Sequence, residues 1–134
     1  MTAAYNFRER YAPLIESGAK LCTIRKQRKN GWLPKPNDRL RLYVGMRTKG
    51  CRLLREVTVR DVVPVSIVTF PEDWGAKVRI ATHPFSPAET LAFAKADGFA
   101  DVADFAKFFY DTHGPLLEAY LVRWWPKDHP NDRA

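Results

Sequence analysis

Cysteine and histidine are scarce in this 134-residue chain, which holds two of the first, Cys22 and Cys51, and three of the second, His83, His113 and His129. Neither cysteine belongs to a CxxC pair and the histidines are scattered, so the spacing of a structural zinc site is missing and free thiols are the expected state. No metal and no cofactor is expected. No apolar run approaches the roughly 18 to 20 residues of a membrane-spanning helix, and the opening MTAAYNFRER lacks the apolar stretch of a secretory leader. These absences lead to the expectation of a soluble, cytoplasmic protein with no membrane partner. Internal repeats and low-complexity segments are lacking too.

Acidic residues are almost missing from one segment. Between residues 20 and 60 there are thirteen Lys and Arg against two carboxylates, Asp38 and Glu56, while the rest of the chain holds nine cations and thirteen anions. The net charge of +7 therefore comes from that segment alone. Like charges crowded in one stretch oppose folding. They suit a phosphate-backbone partner, because each cation that neutralises a phosphate releases a condensed counterion. A solvated basic face with no partner is the plainer alternative.

The remaining composition is that of a packed domain, with 46% hydrophobic and 13% aromatic residues. At this length a single domain over 1–134 is expected, with the polar tail after about 127, KDHPNDRA, frayed. RERYAPLIESG predicts a short helix from about Tyr11 to Ser17, closed by Gly18. KLCTIRK alternates as a half-exposed strand, and QRKNGWLPKPND is a basic loop broken by Asn30-Gly31, Pro34 and Pro36. RLRLYVG predicts a strand with Leu40, Leu42 and Val44 inward and Arg39, Arg41 and Tyr43 outward. Leu53 to Val63 reads as another, with Val57 and Val59 inward and Thr58 and Arg60 outward. PVSIVTF and KVRIA read as two more, joined by a turn at EDWGA. Ser86, Pro87 and Glu89 spell a helix start with a capping box, and Gly98 a stop. Asp101 caps a second helix, whose stripe of Val102, Phe105, Phe108 and Phe109 is core. AYLVRWWP reads as a closing strand on which Trp124 and Trp125 face opposite sides, one of them core. The expected class is α+β, a small mixed β-barrel with about three flanking helices.

Two constellations carry candidate chemistry. In LYVGMRTKGCR, Tyr43 precedes a turn that presents Arg47, Lys49 and Arg52 around Gly45 and Gly50, where glycines let backbone amides approach an anion. Metal-independent cleavage of RNA needs a base for the ribose 2′-OH and cations for the crowded phosphorane. Tyr43 or Lys20 can serve as the base, with Lys49 and Arg47 as electrostatic stabilisers. The second constellation is Lys20 with Thr23, where a lysine among cations such as Arg25 can deprotonate a hydroxyl or a water. A capping threonine and a solvated lysine explain the same residues without chemistry. Arg25, Lys26, Arg28, Lys29, Arg41, Arg47 and Arg52 are the candidate phosphate contacts. Trp32, and after it Trp74, are candidate stacking platforms for single-stranded bases. His113 and His129 fall in late loop or tail positions, which argues against a histidine-pair mechanism.

The pattern Phe7, Arg10, Tyr11, Ile15, Ser17, Gly18, Lys20, Thr23, Ile24, Arg25 resembles the signature of the ASCH domain, a family similar to PUA domains. LYVGMRTKGCRLL, ADGFADVADFAKFF and LVRWWP resemble its later blocks in order, so the likeness spans nearly the whole chain. It implies a PUA-like β-barrel with a cleft and a role in RNA or nucleotide metabolism. Some members remove an acyl group from the N4 amine of modified cytidine with a Lys, a Thr and a carboxylate. Others resemble RNA binders, and some resemble ribonucleases that need no metal. On the motif match the amidohydrolase lysine falls on Lys20, its threonine on Thr23 and its carboxylate on Asp97, where an aspartate stands in place of the usual glutamate. The shorter side chain changes the reach of proton transfer. The resulting expectation is a metal-independent ribonuclease acting on single-stranded RNA in a basic cleft. The alternatives are an N4-acylcytidine amidohydrolase with a modified nucleoside as substrate, and a non-catalytic RNA-binding regulatory module.

Overall fold

The computed structural model describes residues 2–132. Among the described residues the elements run β1 (Thr2–Phe7), a 3-10 turn (Glu9–Tyr11), α1 (Ala12–Ser17), β2 (Cys22–Arg25), β3 (Arg39–Val44), β4 (Arg52–Phe70), β5 (Gly75–Ile80), β6 (His83–Pro84), α2 (Pro87–Ala96), α3 (Val102–His113) and β7 (Leu116–Trp124), ending in a 3-10 turn at Pro130–Asp132. The strands form one mixed sheet: β1 lies parallel to β3, while β3–β4, β4–β5 and β5–β6 are antiparallel, and β7 pairs with β2 and β4. The described residues are thus α+β with three α-helices, as expected. The strand path β1-β3-β4-β5-β6 has two ends and does not close on itself. No helix among the described residues is long and apolar enough to cross a membrane.

The chain divides into two compact units, the first made of Met1–Thr23, Arg28–Val62 and Val122–Ala134, the second of Ile24–Gln27 and Val63–Leu121. In the first, the alternation of β3 buries Leu40, Leu42 and Val44, and β4 adds Val57 and Val59. β1 is not foreseen by the sequence reading. Its six residues carry a short alternation, with Tyr5 and Phe7 buried and Asn6 exposed, and only the parallel pairing of Tyr5 with Leu42 fixes it as a strand. α1 buries Ala12 and Ile15, and Gly18, at φ 86°, adopts the left-handed conformation and donates to the Ile15 carbonyl at 3.1 Å. Of the tryptophan pair, Trp124 is core and Trp125 is half-buried.

Two expectations about this unit are corrected. Thr58 was expected to face outward, but it is 1% exposed because the C-terminal turn lies on it. Its hydroxyl donates to the main-chain carbonyl of Asp132 at 2.6 Å, and the Arg39 guanidinium donates to the same oxygen at 2.6 Å. The tail, expected to fray after about 127, is therefore tied down as far as Asp132. Its composition is that of a loose end, and donors on β3 and β4, with the bond from Lys127 Nζ to Glu16 O at 3.1 Å, hold it.

In the second unit, the sequence reading placed separate strands on either side of Pro64. The structure has one 19-residue strand, β4, running through it. Pro64 is exposed and its carbonyl still accepts from Ala81 N at 2.8 Å, so the missing N–H breaks no buried bond. Val65, Ile67 and Val78 are buried across the β4–β5 pair. α2 starts as the sequence dictates: the Ser86 hydroxyl accepts from Glu89 N at 3.2 Å and the Glu89 carboxylate from Ser86 N at 3.0 Å. Asp101 caps α3 through Asp104 N at 2.8 Å. Phe105 and Phe109, 4.6 Å apart between ring centroids, anchor the aromatic core with Phe99. His113 closes α3 as its last helical residue instead of lying in a loop, and its ring stacks on Phe109.

Candidate functional site

Lys20 lies between the end of α1 and the start of β2, and only 3% of it is exposed. Its backbone N–H donates to Leu14 O at 3.0 Å and its carbonyl accepts the indole N–H of Trp124 at 3.2 Å. The ammonium sits 4.9 Å from the centroid of the Tyr11 ring, over which the exposed Arg10 guanidinium also lies at 5.3 Å. Burial on an aromatic face offsets part of the cost of removing an ammonium from water. Thr23, also in the first unit, is 5% exposed in β2. Asp97, in the second unit, is 5% exposed at the C-cap of α2.

The basic loop is more ordered than its composition suggests. Arg28 donates to the Ala4 carbonyl in β1 at 2.8 Å, and its guanidinium lies 4.8 Å from the Trp32 ring centroid and 5.5 Å from that of Tyr5. Gly31 N donates to Arg28 O at 2.8 Å and Trp32 N to the Asn30 side chain at 2.9 Å, closing a tight turn that folds the indole back on the arginine. Arg28 is thus a structural clamp. Trp32 is half-buried with this cation on its ring. Trp74 packs edge-on against Tyr110 at 5.7 Å in the second unit, in a turn where its φ is 51°.

The turn after β3 is also tightly made. The Gly45 carbonyl accepts from Thr48 N at 3.1 Å and from the Thr48 hydroxyl at 2.6 Å, Gly50 N donates to Thr48 Oγ1 at 3.1 Å, and Met46 N to the Asn6 side chain at 2.9 Å. A side chain at Gly45 would bring its Cβ within 2.9 Å of the Gly50 carbonyl. The expected cradle of backbone amides for an anion is therefore mostly spent within the turn. What the turn offers is side chains: Arg47, held at φ 67°, and Lys49, both exposed, beside the half-buried Tyr43.

Two sets stand out among the cations of the first unit. The fold's few carboxylates neutralise one set: Arg52 pairs with Glu16 at 2.6 Å and Glu9 at 3.7 Å, Arg39 with Glu56 at 3.3 Å, Arg41 more loosely with Glu56 at 3.7 Å, and Arg123 with Asp61 at 2.6 Å. Lys29 and Lys35 on the basic loop and Arg47 and Lys49 on the turn form the other set. All four are exposed, and among the described residues no carboxylate stands within 4 Å of their charged ends. Of the expected phosphate contacts, Lys29 and Arg47 thus face water uncompensated, as does the expected stabiliser Lys49, whereas Arg28 and Arg52 are engaged by the fold. Arg25 and Lys26 belong to the second unit, the first half-buried and the second exposed.

A cluster that sequence reasoning missed lies at the C-terminal turn of the first unit. The Arg55 side chain is 6% exposed, 3.5 Å from the Asp132 carboxylate, and both its terminal nitrogens lack a hydrogen-bond acceptor among the described residues. Thr58 N donates to Asp132 Oδ1 at 3.3 Å. Beside it the His129 ring stacks on Trp125 at 4.3 Å and 17°, with the Arg60 guanidinium 5.2 Å from the same indole centroid. Arg39 and Thr58 are cross-strand partners, and only this register, which the alternation of each strand alone does not give, reveals the cluster.

In the second unit a cleft of about 460 Å³ is lined by Gln27, Pro64, Val65, Ser66, Ala81, Glu118, Ala119 and Tyr120, and by none of the expected site residues. His83 pairs with Glu89 at 3.0 Å on the surface; the hydrogen bond from Ser86 N, followed by that from His83, holds the Glu89 carboxyl below its usual range. Burial, reinforced by the Lys26 charge, lowers the His113 imidazole from its usual value of 6.5. Among the described residues no cluster of three His, Cys, Asp or Glu side chains suited to a metal is found.

No family profile matches the chain, and no solved structure matches it. The chain is 36% identical over 92 residues to a UDP-N-acetylglucosamine--N-acetylmuramyl-(pentapeptide) pyrophosphoryl-undecaprenol N-acetylglucosamine transferase of Phenylobacterium zucineum (strain HLK1). The match covers 66% of this chain and 23% of that relative, so the chain spans under a quarter of the relative's length.

Proposed function

We propose that this chain binds single-stranded RNA, with Lys29, Lys35, Arg47 and Lys49 as its phosphate contacts. The observation that carries the reading is the partition of charge in the first unit. Its carboxylates neutralise Arg39, Arg41, Arg52 and Arg123, while these four cations stand exposed on two ordered turns. Leaving them unpaired raises the local positive potential, which a polyanion lowers with release of counterions. Trp32, already stacked on Arg28, offers an aromatic surface of the kind single strands use. The ASCH-like signature goes with this reading.

Catalysis, in the form of metal-independent cleavage, belongs in this proposal to the turn that already holds the phosphate. The half-exposed Tyr43, reacting as its phenolate, takes the 2′-OH proton as the 2′-oxygen attacks phosphorus, Lys49 and Arg47 stabilise the phosphorane, and the 5′-oxygen leaves with a proton from water, whose hydroxide then restores the phenolate. Lys20 is too deeply buried to meet an RNA backbone, so its role here is structural. The alternative amidohydrolase set is supported by the joint burial of Lys20 and Thr23 within one unit.

One experiment separates these readings. The chain is incubated with a labelled single-stranded RNA and with N4-acetylcytidine, each in EDTA, beside Lys49→Ala and Lys20→Met variants. Retarded RNA whose affinity drops in Lys49→Ala supports binding, and cleavage lost in the same variant supports the nuclease. Hydrolysis of the nucleoside lost only in Lys20→Met replaces both with the amidohydrolase. No retardation of RNA at low salt refutes the proposal.

A further inference from the structure

Residues 129–132 of the first unit lie against donors of β3 and β4 that they satisfy only in part. Arg55 is a guanidinium nine-tenths buried whose two terminal nitrogens find no hydrogen-bond acceptor among the described residues, and the only carboxylate of those residues paired with it, Asp132, stands 3.5 Å away. A buried cation left short of acceptors is costly, and such a group calls for a ligand richer in oxygen than a single carboxylate. Three more donors converge on Asp132. Thr58 gives its amide to the carboxylate, and its hydroxyl and the Arg39 guanidinium go to the main-chain oxygen. Glu56 holds Arg39 from the other side through Nε and Nη2 at 3.3 Å, which aims Nη1 at the turn. One threonine amide and hydroxyl flanked by two arginines is a recognition set for a phosphate group.

A second, separate observation lies three residues earlier. The His129 imidazole lies nearly parallel to the Trp125 indole at 4.3 Å, the geometry of a heteroaromatic base on a platform, and Arg60 lies over the same ring. The platform and the phosphate set are adjacent, because Trp125 N donates to Thr58 O at 3.1 Å. The bond from Asp132 N to His129 O at 2.9 Å makes the intervening 3-10 turn, which brings residues three apart to one side. The tail therefore presents an aromatic heterocycle and an anion to neighbouring subsites, as a nucleotide presents base and phosphate.

We propose that Trp125, Thr58, Arg39 and Arg55 form a mononucleotide site, and that His129 and Asp132 occupy it as internal stand-ins for base and phosphate. The ligand is a nucleoside monophosphate or the terminal nucleotide of an RNA, which share this chemistry. The inference goes beyond the RNA-binding surface and uses none of Lys29, Lys35, Arg47 or Lys49.

The full chain carrying His129→Ala and Asp132→Ala keeps the platform and the donors while removing the imidazole and the carboxylate, so that the main-chain oxygen of residue 132 is left on a turn that neither side chain any longer holds in place. Calorimetric titration with AMP should show binding tighter than in the unaltered chain by about tenfold or more, since the tail no longer competes. Adding Trp125→Ala should abolish the gain for AMP but not for inorganic phosphate, and adding Thr58→Val should abolish both. A dinucleotide with a terminal phosphate, compared with one lacking it, tells RNA ends from free nucleotides. A Lys29→Ala, Lys35→Ala, Arg47→Ala, Lys49→Ala chain should bind AMP unchanged, so failure of either proposal is visible without the other. Should the double variant not fold, titration of the unaltered chain with AMP, read at the Trp125 indole N–H and the Thr58 amide by NMR, decides instead. Equal gains for AMP and inorganic phosphate, no gain in a folded double variant, or no shift of those two signals overturns the inference.

Discussion

The Arg28 guanidinium lies 4.8 Å from the centre of the Trp32 ring while donating at 2.8 Å to the Ala4 carbonyl, so the most basic loop of the chain is pinned to β1 by one of its own cations. A loop of this charge would otherwise repel itself open. Pinned, it presents Lys29 and Lys35 from fixed positions, which reduces the ordering cost of binding a flexible polyanion.

Arg28→Ala should therefore loosen the loop as well as remove a charge. The lost cation–π contacts and charged hydrogen bond should lower stability by about 1–3 kcal/mol. Limited proteolysis should then cut within 26–37 much faster than in the unaltered chain, whereas Lys29→Ala should leave the digestion pattern as it was.

Lys20→Met keeps most of the buried volume beneath Tyr11 and removes the ammonium. If the lysine serves packing, as the RNA-binding account holds, thermal denaturation should shift by no more than about 1–2 kcal/mol in equivalent stability and RNA affinity should hold. Lys20→Ala should cost more, about 2–4 kcal/mol, because it also leaves a cavity beside Tyr11.

Stability should fall on acidification through the His113 titration. Burial and Lys26 lower its folded pKa below the unfolded value of 6.5, so the unfolded chain takes up the proton first. The contribution is complete above 6.5 and is lost as the pH falls from there to the folded value. Denaturant titrations of His113→Gln should show a flatter pH dependence across that window than the unaltered chain.

Much of the fold is legible where local signals are strong. Ser86, Pro87 and Glu89 mark the start of α2, Asp101 that of α3, and the alternation of Leu40, Leu42 and Val44 states which face of β3 is core. What escapes is set by tertiary partners. β1 exists because β3 offers it a parallel edge, Pro64 sits inside a strand because its carbonyl suffices there, and Thr58 is buried because the tail reaches it. The candidate site follows the same division. Exposed Lys29, Arg47 and Lys49 can be found from charge and turn signals alone. That Arg28 and Arg52 are consumed within the fold, and that Arg55 and Trp125 stand beside the tail, depends on contacts between residues far apart in sequence.

The central claim is that Lys29, Lys35, Arg47 and Lys49 bind phosphates because the fold leaves them uncompensated. The most direct measurement is the salt dependence of affinity for a single-stranded RNA, in the unaltered chain and in the chain with all four replaced by alanine. Each phosphate contact contributes about 0.7 to the slope of log affinity against log salt on a single strand. The account predicts a steep slope that flattens by about 2 to 3 in the variant, with affinity at low salt falling by at least about a hundredfold. A slope unchanged by the four substitutions, in a variant that melts like the unaltered chain, would contradict it.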